Sequence, residues 1–164
     1  MTKSLFVDPK AARGAAQPIR FPEIPVNVYQ KTVKDELGNF TTEEFLHIYR
    51  DMCYIREFET MLNLIKTTSE YQGVSYTHPG PAHLGIGQEA AYVGEAYHLT
   101  PADYTFGSHR SHGEILAKGL RSIQVMEEGA LQKVMEEFFG GKTYNVIKDD
   151  AKSIREQGID FLLY

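Results

Sequence analysis

One stretch constrains this chain more than any other. Phe45, Ile48, Tyr49, Met52, Ile55, Phe58, Met61, Leu62 and Ile65 recur at steps of three and four, the spacing that puts side chains on one face of an α-helix. Just before them, Thr41-x-x-Glu44 has the form of a capping box, in which hydroxyl and carboxylate satisfy each other's backbone N–H groups. The pattern predicts a helix from Thr41 to about Thr68. Such a face must be buried against another element, so the stripe reads as core and not as a ligand box. Cys53 falls among these apolar residues and reads as a packed thiol to which no chemistry is assigned.

Around this helix the chain is punctuated by breakers. Residues 1–40 hold Pro9, Pro18, Pro22 and Pro25 among small and polar residues, a pattern that resists regular structure and suits an extended N-terminal arm. Phe21, Ile24, Val26 and Val28 are its apolar anchor points. Residues 41–164 form the second part. Gly73, Pro79, Gly80, Pro81, Gly85 and Gly87 predict a loop over 70–87 that carries His78 and His83, and loops on a rigid scaffold hold a disproportionate share of functional side chains. Residues 88–98 read as a short helix whose Ala90, Ala91, Gly94 and Ala96 leave room for another backbone. Thr100-Pro101-Ala102-Asp103 offers a helix cap with proline in the first position, and Tyr104 to Phe106 reads as a strand end. Helices are expected over 111–118, about 122–138 and about 149–157, the last two parted by Gly140-Gly141. The segment should be mainly helical, with one or two short strands at most.

Composition removes several classes of function. A net charge of −5 opposes nucleic acid as a partner, since binding there is dominated by basic residues neutralising phosphates. No run approaches the roughly 18 apolar residues of a membrane span, and Met1 to Lys10 lacks the apolar stretch of a secretory signal, which leaves the cytoplasm as the expected compartment. One cysteine makes no internal disulfide.

The densest polar cluster is Gly107-Ser108-His109-Arg110-Ser111-His112-Gly113, at the start of a helix. Free N–H groups at a helix start, the helix dipole and a guanidinium together favour phosphate or carboxylate, and imidazoles add donors that move protons near neutral pH. Read from the residues alone, two accounts stay open: an anion seat, or a solvated turn in which Arg110 pairs with Asp103. A metal site built from His83, His109 and His112 is disfavoured, because neither a cysteine pair nor a His-Glu-x-x-His pattern is present. Gly85-x-Gly87 lacks the third glycine of a dinucleotide fingerprint.

The order of segments carries more information than any one of them. Tyr49-Arg50-x-Met52, Ile55-Arg56-Glu57-Phe58-Glu59, His83-Leu84-Gly85-Ile86-Gly87-Gln88-Glu89-Ala90, Leu99-x-Pro101-x-Asp103-Tyr104 and His109-Arg110-x-His112-Gly113-x-x-Leu116-Ala117-Lys118-Gly119 together resemble the alpha region of the thiamine diphosphate-dependent 2-oxo acid and acetoin dehydrogenases. The resemblance covers about residues 42–120. It implies a three-layer α/β/α thiamine diphosphate-binding fold in the parent protein, of which this segment is an incomplete part. It also implies decarboxylation of a 2-oxo acid, or cleavage of acetoin, with passage of the acyl unit to lipoyl.

By that resemblance His83 lies at the substrate end of the cofactor, His109 and Arg110 contact the diphosphate, and His112 sits on a loop near the active-site entrance. His83 and His112 are thus the candidate catalytic residues, His109 and Arg110 the candidate cofactor-binding ones. Gln88 and Glu89 match the family too, but read as helix-start and packing residues. The His-Arg-x-His-Gly form looks like the acetoin-type branch. Implied partners are a beta region or subunit, a lipoyl acyltransferase and a small 2-oxo acid or acetoin. The family's Gly-Asp-Gly motif, which holds Mg²⁺ and the diphosphate, does not occur here, so the metal ligands are expected outside this chain and the chain alone is expected to be inactive. Leu120 to Tyr164 reads as an insertion, and the apolar ending Ile159-Asp160-Phe161-Leu162-Leu163-Tyr164 reads as a cut. The rival readings are a non-catalytic remnant or assembly module, and a small-anion-binding protein.

Overall fold

The computed structural model describes residues 8–14, 23, 26, 28–77 and 79–164. Phe21, Ile24, Pro18, Pro22, Pro25 and His78 therefore lie outside the described residues. The chain divides into two units, 1–36 and 37–164. Among its described residues the first holds two short helices, α1 (Pro9–Gly14) and α2 (Val33–Glu36), where the sequence led us to expect irregular chain. Each has a local cause. Pro9 stands in the first helical position, where its missing N–H costs nothing, and the Asp8 carboxylate accepts the Lys10 N–H at 2.9 Å. Thr32 and Asp35 bond reciprocally ahead of α2, with Asp35 Oδ2 accepting the Thr32 N–H at 2.7 Å. Val26 and Val28, expected as anchors, are exposed within this unit.

In the second unit, helix α3 (Thr42–Thr68) forms as expected, with both hydrogen bonds of the capping box between Thr41 and Glu44. It ends at Ser69, whose φ of 58° is left-handed. A two-residue hairpin follows, β1 (Glu70–Tyr71) pairing antiparallel with β2 (Val74–Ser75). Gln72 (φ 49°) and Gly73 (φ 79°) supply the two positive φ angles such a turn needs. Helices α4 (Glu89–Tyr97), α5 (His112–Val125), α6 (Glu128–Glu137), α7 (Lys142–Ile147) and α8 (Ile154–Leu163) complete the unit. The segment is mainly helical, as expected.

Several boundaries differ from expectation. The helix read over 122–138 is two helices, because α5 runs on to Val125 and α6 restarts behind Glu127, whose carboxylate accepts the Ala130 N–H at 3.0 Å. Phe139, Gly140 and Gly141 all have positive φ, which explains the break the two glycines predict. Beyond it α7 was not foreseen, and the last helix lies at 154–163 in place of 149–157, set by a second capping box, Ser153 with Glu156. Thr100 to Asp103 is a lone turn: the Asp103 carboxylate accepts both the Thr100 N–H and its hydroxyl, at 2.7 and 2.8 Å. Tyr104 to Phe106 is not a strand. It pairs with neither β1 nor β2, and Tyr104 and Phe106 stand 88% and 97% exposed.

Among the described residues, two clusters make the core. Ile55, Tyr92, Val93, Ala96, Leu116 and Ala117 join α3, α4 and α5, and Ile123, Leu131, Met135 and Tyr144 join α5, α6 and α7. Leu162 of α8 packs against both, close to Gly119, where a Cβ would fall 2.6 Å from it. Arg155 locks α8 to the end of α5: its guanidinium donates to the carbonyls of Ile123, Gln124 (2.8 Å) and Met126 (3.1 Å), which have no partner within their own helix. The stripe on α3 is less regular than its spacing implied. Only Ile55 among its apolar residues is fully buried, with Asp51 and Glu59 buried one turn to either side, while Tyr49 is exposed. Cys53 is exposed as well, two residues from Ile55 and so on the far side of the helix. Of the small residues expected at a close contact in α4, only Ala96 is buried. Among the described residues no helix is long and apolar enough to cross a membrane.

Candidate functional site

The site is organised by one side chain. Tyr92 on α4 is wedged between the loop before α4 and the first turn of α5, two segments that each present a glycine to it. A Cβ at Gly85 would lie 2.5 Å from the Tyr92 hydroxyl, and a Cβ at Gly113 would fall closer than 3.0 Å to three atoms of its ring. Both glycines are therefore required by close packing and not by backbone conformation. The Tyr92 hydroxyl donates to Gln88 Oε1 at 3.0 Å, and burial, followed by Glu114 and Glu59, raises its pKa.

This wedge brings two of the four expected residues together. The rings of His83 and His109 meet edge to face with centroids 4.8 Å apart, and both are exposed. Arg110 follows at the turn, where its N–H donates to Ser108 Oγ at 3.2 Å. Its guanidinium has no hydrogen-bond or ion-pair partner among the described residues. Asp103, the alternative partner, is held by Thr100, whose hydrogen bonds lower its pKa. The solvated Arg110–Asp103 pair is thus not what forms. Ser111, the residue before α5, makes no side-chain cap, so the first N–H groups of α5 stand without a hydroxyl or carboxylate cap beside that guanidinium. Exposed imidazoles, a guanidinium and an uncapped helix start are the chemistry of an anion seat.

His112 goes elsewhere. It is the first residue of α5, not a loop residue, and its Nδ1 lies 2.5 Å from Oε1 of Glu59 on α3. The Glu59 side chain is fully buried and its Oε2 accepts the Gly85 N–H at 2.9 Å. One carboxylate of α3 thereby holds both the α5 start and the loop that carries His83.

Sequence reasoning missed Glu59, although a signal exists: Asp51, Ile55 and Glu59 share one helical face, and a carboxylate in phase with a core residue needs a buried partner. Asp51 finds Gln124, whose Nε2 donates to it at 2.6 Å, and burial raises its pKa against the pull of Arg50. Glu89, expected as a helix-start and packing residue, opens α4 and is buried. It receives both Nε and Nη2 of Arg56, at 2.6 and 2.8 Å, and the Gly87 N–H at 3.0 Å. The Arg56 fork, with the Gly87 N–H assisting against the cost of burial, holds its pKa down to about 2. Among the described residues no group of three or more His, Cys, Asp or Glu side chains is placed to hold a metal ion.

Comparison with known proteins places these segments in a wider context. The family described as dehydrogenase E1 component matches residues 58–159. That match reaches well past residue 120, into the stretch that the sequence reading treated as an insertion. The alpha subunit of an acetoin:2,6-dichlorophenolindophenol oxidoreductase from Cupriavidus necator is 37% identical over 86 residues, 52% of this chain and 24% of its own length. The subunit of the same description from Bacillus subtilis is 35% identical over 113 residues, 69% of this chain and 29% of its own. A pyruvate dehydrogenase E1 component subunit alpha from Rhizobium meliloti is 35% identical over 92 residues, 56% and 24%. The chain spans about a quarter of the length of these relatives. No solved structure matches.

Proposed function

The chain belongs to the dehydrogenase E1 component family, and from that premise we propose that it provides one wall of a thiamine diphosphate site in an enzyme acting on a small 2-oxo acid or on acetoin. Membership carries the parent fold class expected from the sequence, an α/β thiamine diphosphate-binding fold, of which this is a mainly helical segment. The observation that supports the site is the turn before α5: the unpartnered Arg110 guanidinium, the ring of His109 and the uncapped helix start suit a diphosphate.

Arg110 and His109 hold the diphosphate, and His83, braced edge-on by His109, faces the substrate end as a hydrogen-bond donor to a developing oxyanion. What thiamine diphosphate supplies when bound is a nucleophilic carbon for the substrate carbonyl. His112 serves the substrate side from the first turn of α5. The ligands of Mg²⁺ come from outside this chain, because the Gly-Asp-Gly motif that the family uses to hold the metal does not occur in its sequence. A beta region or subunit completes the site, a lipoyl acyltransferase accepts the acyl unit, and the compartment is the cytoplasm. Relatives named for acetoin and for pyruvate support the substrate class.

Titration of the chain with thiamine diphosphate, followed by amide NMR shifts, tests the reading. Shifts centred on residues 107–114 and His83, without saturation at micromolar ligand, are expected. Shifts confined to another region refute the site, and tight magnesium-dependent binding by the chain alone refutes the placement of the metal ligands.

A further inference from the structure

The buried carboxylate of Glu59 has two faces and two different neighbours. Oε2 accepts the backbone N–H of Gly85 at 2.9 Å, and Oε1 meets Nδ1 of His112 at 2.5 Å. Glu59 is wholly buried, while the His112 side chain keeps 27% of its surface. A backbone N–H only donates, so one oxygen is committed to Gly85. The other faces a ring nitrogen whose protonation is set by its partner, because a ring nitrogen that donates to a carboxylate leaves the other as a lone pair.

We infer that Glu59 is a positioning residue that fixes His112 as its Nδ1–H tautomer and so presents an unprotonated Nε2 as a proton acceptor. The inference rests on reading His112 as a residue of the site, and it says what His112 offers there: a hydrogen-bond acceptor and base, suited to a ligand group bearing O–H, S–H or N–H. Because the same carboxylate tethers Gly85, two residues from His83, the tautomer of one histidine and the placement of the other depend on a single side chain.

Glu59→Gln separates this from simple packing. The amide has one acceptor oxygen, and the Gly85 N–H, buried and fixed as a donor, claims it. The amide NH₂ then faces His112 Nδ1, which must accept, and the ring proton moves to Nε2. Replacing the carboxylate behind an imidazole by an amide stabilises the wrong tautomer by this logic.

The experiment is ¹⁵N NMR of the histidine rings in the 164-residue chain, at a pH of about 9 so that ordinary imidazoles are neutral. The wild-type chain should show His112 protonated at Nδ1 alone, Glu59→Asp should keep that pattern, and Glu59→Gln should invert it while the other ring signals stay in place. A proton on Nε2 in the wild-type chain, in a neutral or a charged ring, overturns the inference, as does an unchanged tautomer in a folded Glu59→Gln chain. If that variant does not fold, the wild-type and Glu59→Asp spectra decide. No cofactor is present, so the outcome is separate from diphosphate binding: loss of the Arg110 reading leaves the tautomer as measured, and the wrong tautomer leaves Arg110 untouched.

Discussion

Replacing Gly113 by alanine should destabilise this chain, against the usual effect of alanine in a helix. In an unobstructed helix the change gains about 0.8–1 kcal/mol. At Gly113 the added methyl would fall closer than 3.0 Å to Cε2, Cδ2 and Cζ of Tyr92. The ring cannot retreat, since Tyr92 is only 6% exposed and its hydroxyl already abuts Gly85. Overpacking of this kind costs about 1–3 kcal/mol and more where nothing yields. With three ring atoms in conflict the upper part of that range applies, leaving a net loss of about 1–2 kcal/mol. For a chain of this size that is a fall in Tm of ~2–8 °C. Gly94→Ala is the control, because a Cβ there meets nothing within 4 Å, and it should gain about 0.5–1 kcal/mol. Urea denaturation of both variants beside the parent measures the difference. If Gly113→Ala is as stable as the parent, or gains as Gly94→Ala does, Tyr92 is not wedged against α5, and the account of how the site is assembled is wrong.

Other consequences can be checked on the same material. Glu89 has its folded-state pKa held at about 2, below the ordinary 4.5, so its pair with Arg56 contributes fully above about pH 4.5 and the contribution fades as pH falls towards 2. Because Arg56 is half exposed, solvent screening reduces this to about 1–2 kcal/mol, and Glu89→Gln should flatten that limb of the stability–pH curve. Arg155→Ala leaves carbonyls at the end of α5 without their charged donor and should cost about 1.5–3 kcal/mol in urea unfolding. Thr41→Ala removes the α3 cap and should cost about 1 kcal/mol by the same measurement.

The helices were legible where their signals are local. Thr41 and Glu44 mark the start of α3, and Gly140 and Gly141 mark a break, because capping and positive φ act within a few residues. Elements set by tertiary contacts were not. Tyr104 to Phe106 is apolar enough for a strand, yet a strand exists only with a partner. The start of α6 is local but atypical, since the carboxylate of Glu127 stands where a hydroxyl cap is usual. In the site, His109 and Arg110 stood out as a dense polar cluster, and the meeting of His83 with His109, which spacing does not predict, follows only once Tyr92 pulls loop and helix together. Glu59 stayed hidden in an apolar stripe because sequence spacing gives a face, not a partner.

The central claim is that the turn before α5 seats a diphosphate through Arg110. NMR titration of the parent chain, Arg110→Ala and Arg110→Lys with thiamine diphosphate at low salt tests it most directly. A charge-assisted hydrogen bond is worth about 1.5–3 kcal/mol, so Arg110→Ala should weaken binding about 10- to 100-fold, and Arg110→Lys, which keeps the charge but loses the planar fork, should recover only part of that. Equal affinities in all three chains, or a binding surface away from residues 107–114, would contradict the account.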